Sequence, residues 1–163
     1  MQEECSAVVL ELAQLLKQRG MVCATAESCT GGMIGSMLTA VPGSSEWYAG
    51  GVISYANSVK TGVLGVCEAD INKEGAVSSP VVESMAKGAC RLTGADVSCS
   101  VSGVAGPGGG TPEKPVGTVW IGWCVHGKAC SAIFHFDGSR SSVRRQAAEA
   151  ALRGMVERIR IPG

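Results

Sequence analysis

The sequence predicts a three-layer α/β fold whose mixed sheet has about five strands, one of them antiparallel. Short buried apolar runs alternate with segments of helical periodicity along the first two thirds of the chain. Two further runs, TVWIGWCV and ACSAIFHF, are separated only by HGK, a spacing typical of a β-hairpin. Alternating strands and helices favour parallel pairing with helices on both faces, and the hairpin adds the antiparallel strand.

The first five elements follow from apolar spacing and turn residues. An amphipathic helix with Val8 and Leu12 on its apolar face is ended by Gly20. Pro42 limits the next helix, because proline cannot continue one. In chain order the predicted segments are a helix, a strand, a helix, a strand and a helix, at 4–19, 21–27, 31–41, 47–55 and from Asn57.

The second half begins with a helix for which Ser79 is the predicted N-cap, Pro80 the first helical position and Gly94 the end. A third strand at 97–106, a long loop of glycine and proline, and the hairpin follow. The last predicted helix, at 139–160, has one apolar face: Val143, Ala147, Ala151, Met155 and Ile159.

Composition excludes several function classes. A chain of 163 residues with 17% charged residues and no internal repeat is predicted to form a single domain, 1–163. Fourteen acidic residues balance fourteen basic ones and aromatic content is 4%, so nucleic-acid binding is not expected. No segment has the pattern of a signal peptide or a membrane span. The eight cysteines lack zinc-like spacing, which predicts free thiols, a cytoplasmic location, and no metal or cofactor.

The stretch ESCTGG lies where the first strand should end and the next helix begin. Backbone N–H groups at such a point suit a phosphate, or the oxyanion of an attacked carbonyl. Ser28 and Thr30 also suit a plain helix cap, and Cys29 is a candidate nucleophile. The residues alone leave these interpretations open.

A nucleophile needs a base. The two histidines, His126 and His135, fall in the hairpin and have no neighbours that mark them as bases, which weakens a Cys–His mechanism. Tyr55 and Lys60 lie at the end of the second predicted strand, with Tyr55 its last residue. If the first two strands are parallel, their carboxyl ends share one edge of the sheet, so Lys60 approaches Ser28. A buried lysine loses pKa by desolvation, and its neutral amine accepts the serine proton. A solvated surface lysine is the alternative.

Two further segments are candidate ligand contacts. Gly106, Gly108 and Gly109 lie in the loop GPGGGTPEKPVG, which matches neither a dinucleotide fingerprint nor a Walker A motif but lets backbone approach a ligand. Arg140 and Arg144 open the last helix, where they form either an anion site or a solvated basic face.

Five motifs carry a resemblance to a known family. TAESCTGG, GGVISYANSVK, GAVS, VSGVAGPGGGTPEKPVGTVWIG and SRSSVRRQA occur in the order found in the CinA C-terminal domain family, over about residues 5–160. That family includes stand-alone nicotinamide-nucleotide amidases. One departure is that relatives often read Gly-Asp-Arg where this chain has Gly138, Ser139 and Arg140.

The resemblance implies a three-layer α/β/α sandwich and an amidohydrolase that converts nicotinamide mononucleotide to nicotinate mononucleotide and ammonia. It implies a Ser28 nucleophile, a Lys60 base and a catalytic Tyr55, without metal or cofactor. It also implies self-association as a homodimer or higher homo-oligomer. A nucleotide-binding module without turnover, as in competence-related fusion proteins, is the alternative. The implied oxyanion and substrate contacts are Cys29, Thr30, Gly31, Gly103, Gly106, Gly108, Gly109 and Arg140 or Arg144.

Overall fold

A five-stranded mixed sheet forms the centre of the molecule. The computed structural model describes residues 5–161. The strands lie in the order β2-β1-β3-β4-β5, with β1 parallel to β2 and β3, and β4 antiparallel to β3 and β5. One strand, β4, therefore runs opposite to the other four. The strands are β1 Cys23–Glu27, β2 Tyr48–Ile53, β3 Val97–Gly103, β4 Thr118–Val125 and β5 Lys128–His135.

Helices cover both faces of the sheet. One face packs against α1, α2 and α6, and the other packs mainly against α5. The helices are α1 Ala7–Arg19, α2 Met33–Thr39, α3 Asn57–Gly62, α4 Glu68–Glu74, α5 Ser79–Thr93 and α6 Arg140–Arg160, with a 3₁₀ turn at Ser44–Glu46. None of the described helices is long and apolar enough to cross a membrane.

The predicted fold class is confirmed, including the single antiparallel strand. Two details differ. The N-cap of α5 is Ser78, and the predicted cap Ser79 is the first helical residue, whose hydroxyl donates to Glu83. The short helix α4 has no apolar stripe and was not predicted. Residue 4, the predicted start of the first helix, lies outside the described residues.

Alternation along β3 positions both the core and the site. Val97, Cys99 and Val101 point to the α1 and α6 face and are buried in the larger apolar cluster. On the other face, the hydroxyls of Ser98 and Ser100 donate to α5 carbonyls at 2.6 and 2.5 Å. Because strand side chains alternate, the two layers of helices meet chemically different sides of the same strand.

Candidate active site

The nucleophile candidate Ser28 lies in a five-residue turn between β1 and α2. Its N–H donates to the carbonyl of Val101 at 3.0 Å, which continues the β1–β3 ladder one residue past the strand. The chain then turns through Gly31 and Gly32, whose φ angles of 58° and 107° favour glycine. We call residues 28–32 the Ser28 turn. The helix begins only at Met33, so neither Ser28 nor Thr30 is its cap, which corrects that interpretation.

A buried carboxylate occupies the N-terminus of α2. Glu27 is 2% exposed, and its Oε1 accepts hydrogen bonds from the N–H groups of Gly32 and Ile34 at 3.2 and 2.9 Å. Its Oε2 accepts one from Gly35 at 3.0 Å. The N–H groups at the start of a helix have no partner within the helix, and a bound anion would accept hydrogen bonds from these same groups. The helix terminus is therefore filled by the chain itself and is not a free phosphate site.

Lys60 lies directly beside Ser28. The residue is 1% exposed, and its Nζ is 3.1 Å from Ser28 Oγ, 2.8 Å from the carbonyl oxygen of Ser54 and 3.3 Å from that of Tyr55. Burial lowers the pKa of the Lys60 ammonium below its ordinary value. A neutral amine has two hydrogens and one lone pair, and the two carbonyls accept those hydrogens. In that neutral form, the lone pair is left to accept a hydrogen bond from the Ser28 hydroxyl.

Cys29, the competing nucleophile, is a poor one in this environment. Burial raises the pKa of its thiol to about 11, although the Arg144 guanidinium opposes the shift. The thiol therefore remains protonated near neutral pH. His126 lies in the turn of the β4–β5 hairpin and His135 is exposed on β5, so neither lines the cavity at Ser28.

A cavity of about 220 Å³ opens at the carboxyl ends of the parallel strands, and we call it the Ser28 cavity. It brings together six of the predicted site residues: Ser28, Cys29, Tyr55, Lys60, Gly103 and Arg140. Tyr55 is 63% exposed, and its hydroxyl accepts a hydrogen bond from Arg140 at 3.4 Å. The cavity is thus lined by a serine–lysine pair and an arginine, and no carboxylate or imidazole of residues 5–161 lines it.

The remaining predicted contacts lie elsewhere. Gly106 contributes its carbonyl, which accepts a hydrogen bond from Arg140 at 2.8 Å, whereas Gly108 and Gly109 are exposed and do not line the Ser28 cavity. A second cleft, of about 520 Å³, is lined by Thr30, Gly31 and Arg144 together with residues of α2. The two arginines are therefore separated: Arg140 is in the Ser28 cavity, and Arg144 is in this second cleft.

Sequence reasoning missed several residues at the site. Ser102, at the end of β3, is 2% exposed and lines the Ser28 cavity with Asn57, Ala76 and Val77. Period-two alternation was the available signal for Ser102, because it continues the row of Ser98 and Ser100 to the end of a strand parallel to β1. No group of three or more potential metal ligands occurs among residues 5–161.

The departure at Ser139 has a structural explanation. Ser139 is the N-cap of α6, and its hydroxyl oxygen accepts a hydrogen bond from the N–H of Ser142 at 3.2 Å. Serine and aspartate are equally suited to this position. The serine therefore does what an aspartate would do here, and Arg140 still begins the helix.

Comparison with known proteins agrees with this geometry. A family model for the CinA C-terminal domain matches residues 6–159. A nicotinamide-nucleotide amidohydrolase PncC from Pseudomonas putida is 46% identical over 152 residues, which cover 93% of this chain and 95% of that protein. A CinA-like protein from Desulfotalea psychrophila is 55% identical over 142 residues, 86% of this chain but only 34% of the relative.

Solved structures show the same architecture. The crystal structure of a competence damage-inducible protein A from Klebsiella pneumoniae has a TM-score of 0.92 and 35% sequence identity, covering 96% of this chain and 97% of that one. The chain spans about a third of the CinA-like proteins that it matches and nearly the whole of the amidohydrolase from Pseudomonas putida. The resemblance noted in the sequence is confirmed, and this chain belongs to the CinA C-terminal domain family.

Proposed function

We propose that this chain is an amidohydrolase that converts nicotinamide mononucleotide to nicotinate mononucleotide and ammonia, with Ser28 as nucleophile and Lys60 as base. The observation that carries the proposal is the buried Lys60 amine 3.1 Å from Ser28 Oγ, oriented by two backbone carbonyls. Relatives named nicotinamide-nucleotide amidohydrolase, 46% identical over most of their length, support the choice of substrate.

In the first half-reaction Lys60 accepts the Ser28 proton while Oγ attacks the carboxamide carbon. The resulting oxyanion is stabilised by the N–H groups of Cys29 and Thr30, which have no acceptor among the described residues. Each such donor contributes about 3–4 kcal/mol in comparable enzymes. Gly31 is not available for this role, because its N–H already donates to the Ser28 carbonyl at 3.1 Å.

Collapse of the tetrahedral intermediate breaks the C–N bond. The Lys60 ammonium donates its proton to the departing nitrogen, ammonia leaves, and an ester remains on Ser28. In the second half-reaction Lys60 deprotonates a water molecule that attacks the ester carbon. The acid is released, and the proton returns to Ser28 Oγ through Lys60.

Arg140 is the proposed partner of the substrate phosphate, and Tyr55 stands beside it at the mouth of the cavity. Arg140 Nη1 donates to the carbonyl of Gly106, and Arg140 Nη2 is 3.4 Å from the Tyr55 hydroxyl. The guanidinium is therefore oriented but still able to bind an anion. The backbone carbonyl of Tyr55 orients Lys60. We expect Arg140→Ala to raise KM for the mononucleotide far more than for nicotinamide riboside, measured by ammonia release.

Ammonia release from nicotinamide mononucleotide, measured for the wild type and for Ser28→Ala, Lys60→Ala and Cys29→Ala, tests the assignment. Ser28→Ala and Lys60→Ala should be inactive, and Cys29→Ala should keep most of the activity. An active Ser28→Ala variant with an inactive Cys29→Ala variant would overturn the serine assignment.

Substrate range is tested with nicotinamide, its riboside, the mononucleotide and the dinucleotide. Preferred hydrolysis of the mononucleotide supports the proposal, and equal hydrolysis of unrelated amides contradicts it. Calorimetric binding of the mononucleotide without ammonia release would favour the non-catalytic nucleotide-binding module.

A further inference from the structure

Arg144 contacts the Ser28 turn through two backbone carbonyls. Although 115 residues separate them, its Nε donates to the carbonyl of Cys29 at 2.9 Å. Its Nη2 donates to the carbonyl of Thr30 at 3.1 Å. A guanidinium is permanently charged and its donors have fixed directions, so these two bonds fix the planes of two successive peptide groups.

The direction of those peptide planes determines where their N–H groups point. The Cys29–Thr30 bond is trans, since the one cis bond in residues 5–161 is at Gly106–Pro107. In a trans peptide the C=O and N–H point in opposite directions. With the Cys29 carbonyl bound to Arg144, the Thr30 N–H points away from the guanidinium.

The two cavities are lined by different residues of the Ser28 turn. Arg144 lines the 520 Å³ cleft beside α2 together with Thr30, whereas Ser28, Cys29 and Lys60 line the 220 Å³ cavity. An N–H that points away from the guanidinium therefore points away from the 520 Å³ cleft. The Thr30 N–H has no acceptor among the described residues. A charged donor on the carbonyl also polarises the peptide group, which makes its N–H a stronger donor toward developing negative charge.

We propose that Arg144 is a positioning residue that orients and polarises the oxyanion-binding peptide of the Ser28 turn, and that it is not a ligand of the substrate phosphate. This inference rests on the proposed function for its reaction. Glu27 complements it at the other end of the turn, where the carboxylate binds three N–H groups of the start of α2. Together, opposite charges fix both ends of a segment rich in glycine.

The test compares Arg144→Ala and Arg144→Lys with Arg145→Ala as the matched control. Arg145 follows Arg144 on α6, is exposed, and makes no side-chain hydrogen bond to a described residue. Arg144→Ala should lower kcat for nicotinamide mononucleotide about 100-fold, the scale of a misplaced catalytic group, with KM unchanged. Arg144→Lys should keep a kcat between those of Arg144→Ala and the wild type, because an ammonium cannot donate to both carbonyls with the fixed geometry of a guanidinium. Arg145→Ala should match the wild type.

A second reaction separates this inference from the proposed substrate. p-Nitrophenyl acetate transfers its acetyl group to a serine and releases p-nitrophenolate through the same kind of oxyanion. The rate of this acylation should be about 100-fold lower in Arg144→Ala than in the wild type. It is followed by p-nitrophenolate absorbance and by the mass of the acetyl-enzyme, and Ser28→Ala gives the background rate. Guanidinium chloride at millimolar concentration should partly rescue the alanine variant.

The outcomes are distinguishable. A higher KM for the mononucleotide with unchanged acylation makes Arg144 a phosphate ligand and overturns the inference. A lower melting temperature with unchanged rates makes it merely structural, which also overturns it. If the wild type releases no ammonia but its acylation depends on Arg144, the proposed substrate fails and the positioning role stands. If the wild type shows neither reaction, both fail. If Arg144→Ala does not fold, the rates of ammonia release and of acylation measured for Arg144→Lys distinguish the same outcomes.

Discussion

Replacing Lys60 by arginine and by methionine tests whether its amine acts as a base or as a cation. Arginine keeps a positive charge and hydrogen-bond donors but cannot accept a proton, and methionine preserves most of the apolar stem without either property. If Lys60 is the base, both variants lose the general-base contribution. If it acts as an ammonium that stabilises negative charge, arginine should retain much more activity than methionine.

The expected magnitude follows from the geometry. Nζ is 3.1 Å from Ser28 Oγ, a distance at which a proton can pass between the two atoms without an intervening water. General-base catalysis in such contacts contributes about 10²–10⁴-fold, which is a barrier increase of about 3–5 kcal/mol. Both variants should lose kcat by this factor. Lys87→Arg, on the exposed face of α5, is the matched control and should not change the rate.

The wild-type pH profile gives an independent readout. The pKa of Lys60 is lowered by burial. If Lys60 is the base, only its neutral amine is active, so kcat/KM should rise with pH through a midpoint below the pKa of an ordinary lysine and level off above that midpoint. Ammonia release measured from acid to mildly alkaline pH checks this, with circular dichroism confirming the fold at each pH. A rate that falls as pH rises, or an arginine variant close to wild type, would refute the general-base role.

Three other outcomes are expected. Because burial raises the pKa of the Cys29 thiol to about 11, iodoacetamide at neutral pH should alkylate the exposed Cys67 before Cys29, as read by peptide mass spectrometry. Glu27→Gln turns an amide donor toward the N–H groups of α2 and should reduce the free energy of unfolding by about 1–3 kcal/mol in urea titration. Gly154→Ala places a methyl group against the Trp123 ring and should lower the free energy of unfolding by about 1–3 kcal/mol. Gly62→Ala, whose methyl group would have nothing within 4 Å, should not lower it. Equal melting temperatures for the two glycine variants would contradict that packing argument.

The meeting of Ser28 and Lys60 could be anticipated from topology alone. Each follows a strand, and β1 and β2 are neighbours and parallel, so their carboxyl ends had to share one edge of the sheet. Periodicity and turn residues were enough to place those strands. What they could not supply was the 3.1 Å contact, which depends on how α3 leaves β2 and buries the lysine stem.

The contacts made by Glu27 and the two arginines lay beyond sequence reasoning. α2 has only seven residues, and a helix this short does not reveal its first residue by periodicity, so the acceptor role of Glu27 was hidden. Arg140 and Arg144 are four residues apart, a spacing that places them on one face of a helix. Only the docking of α6 on the sheet separates them into two cavities.

The 115-residue separation between Cys29 and Arg144 has a consequence for the newly made protein. β1 and the Ser28 turn are synthesised before α6, so the carbonyls of that turn obtain their arginine donors only after α6 has been synthesised and has docked. Contacts this distant in sequence form late, because the intervening chain must first be ordered. The backbone of the Ser28 turn, including the proposed oxyanion-binding peptide, should thus become ordered only when α6 docks.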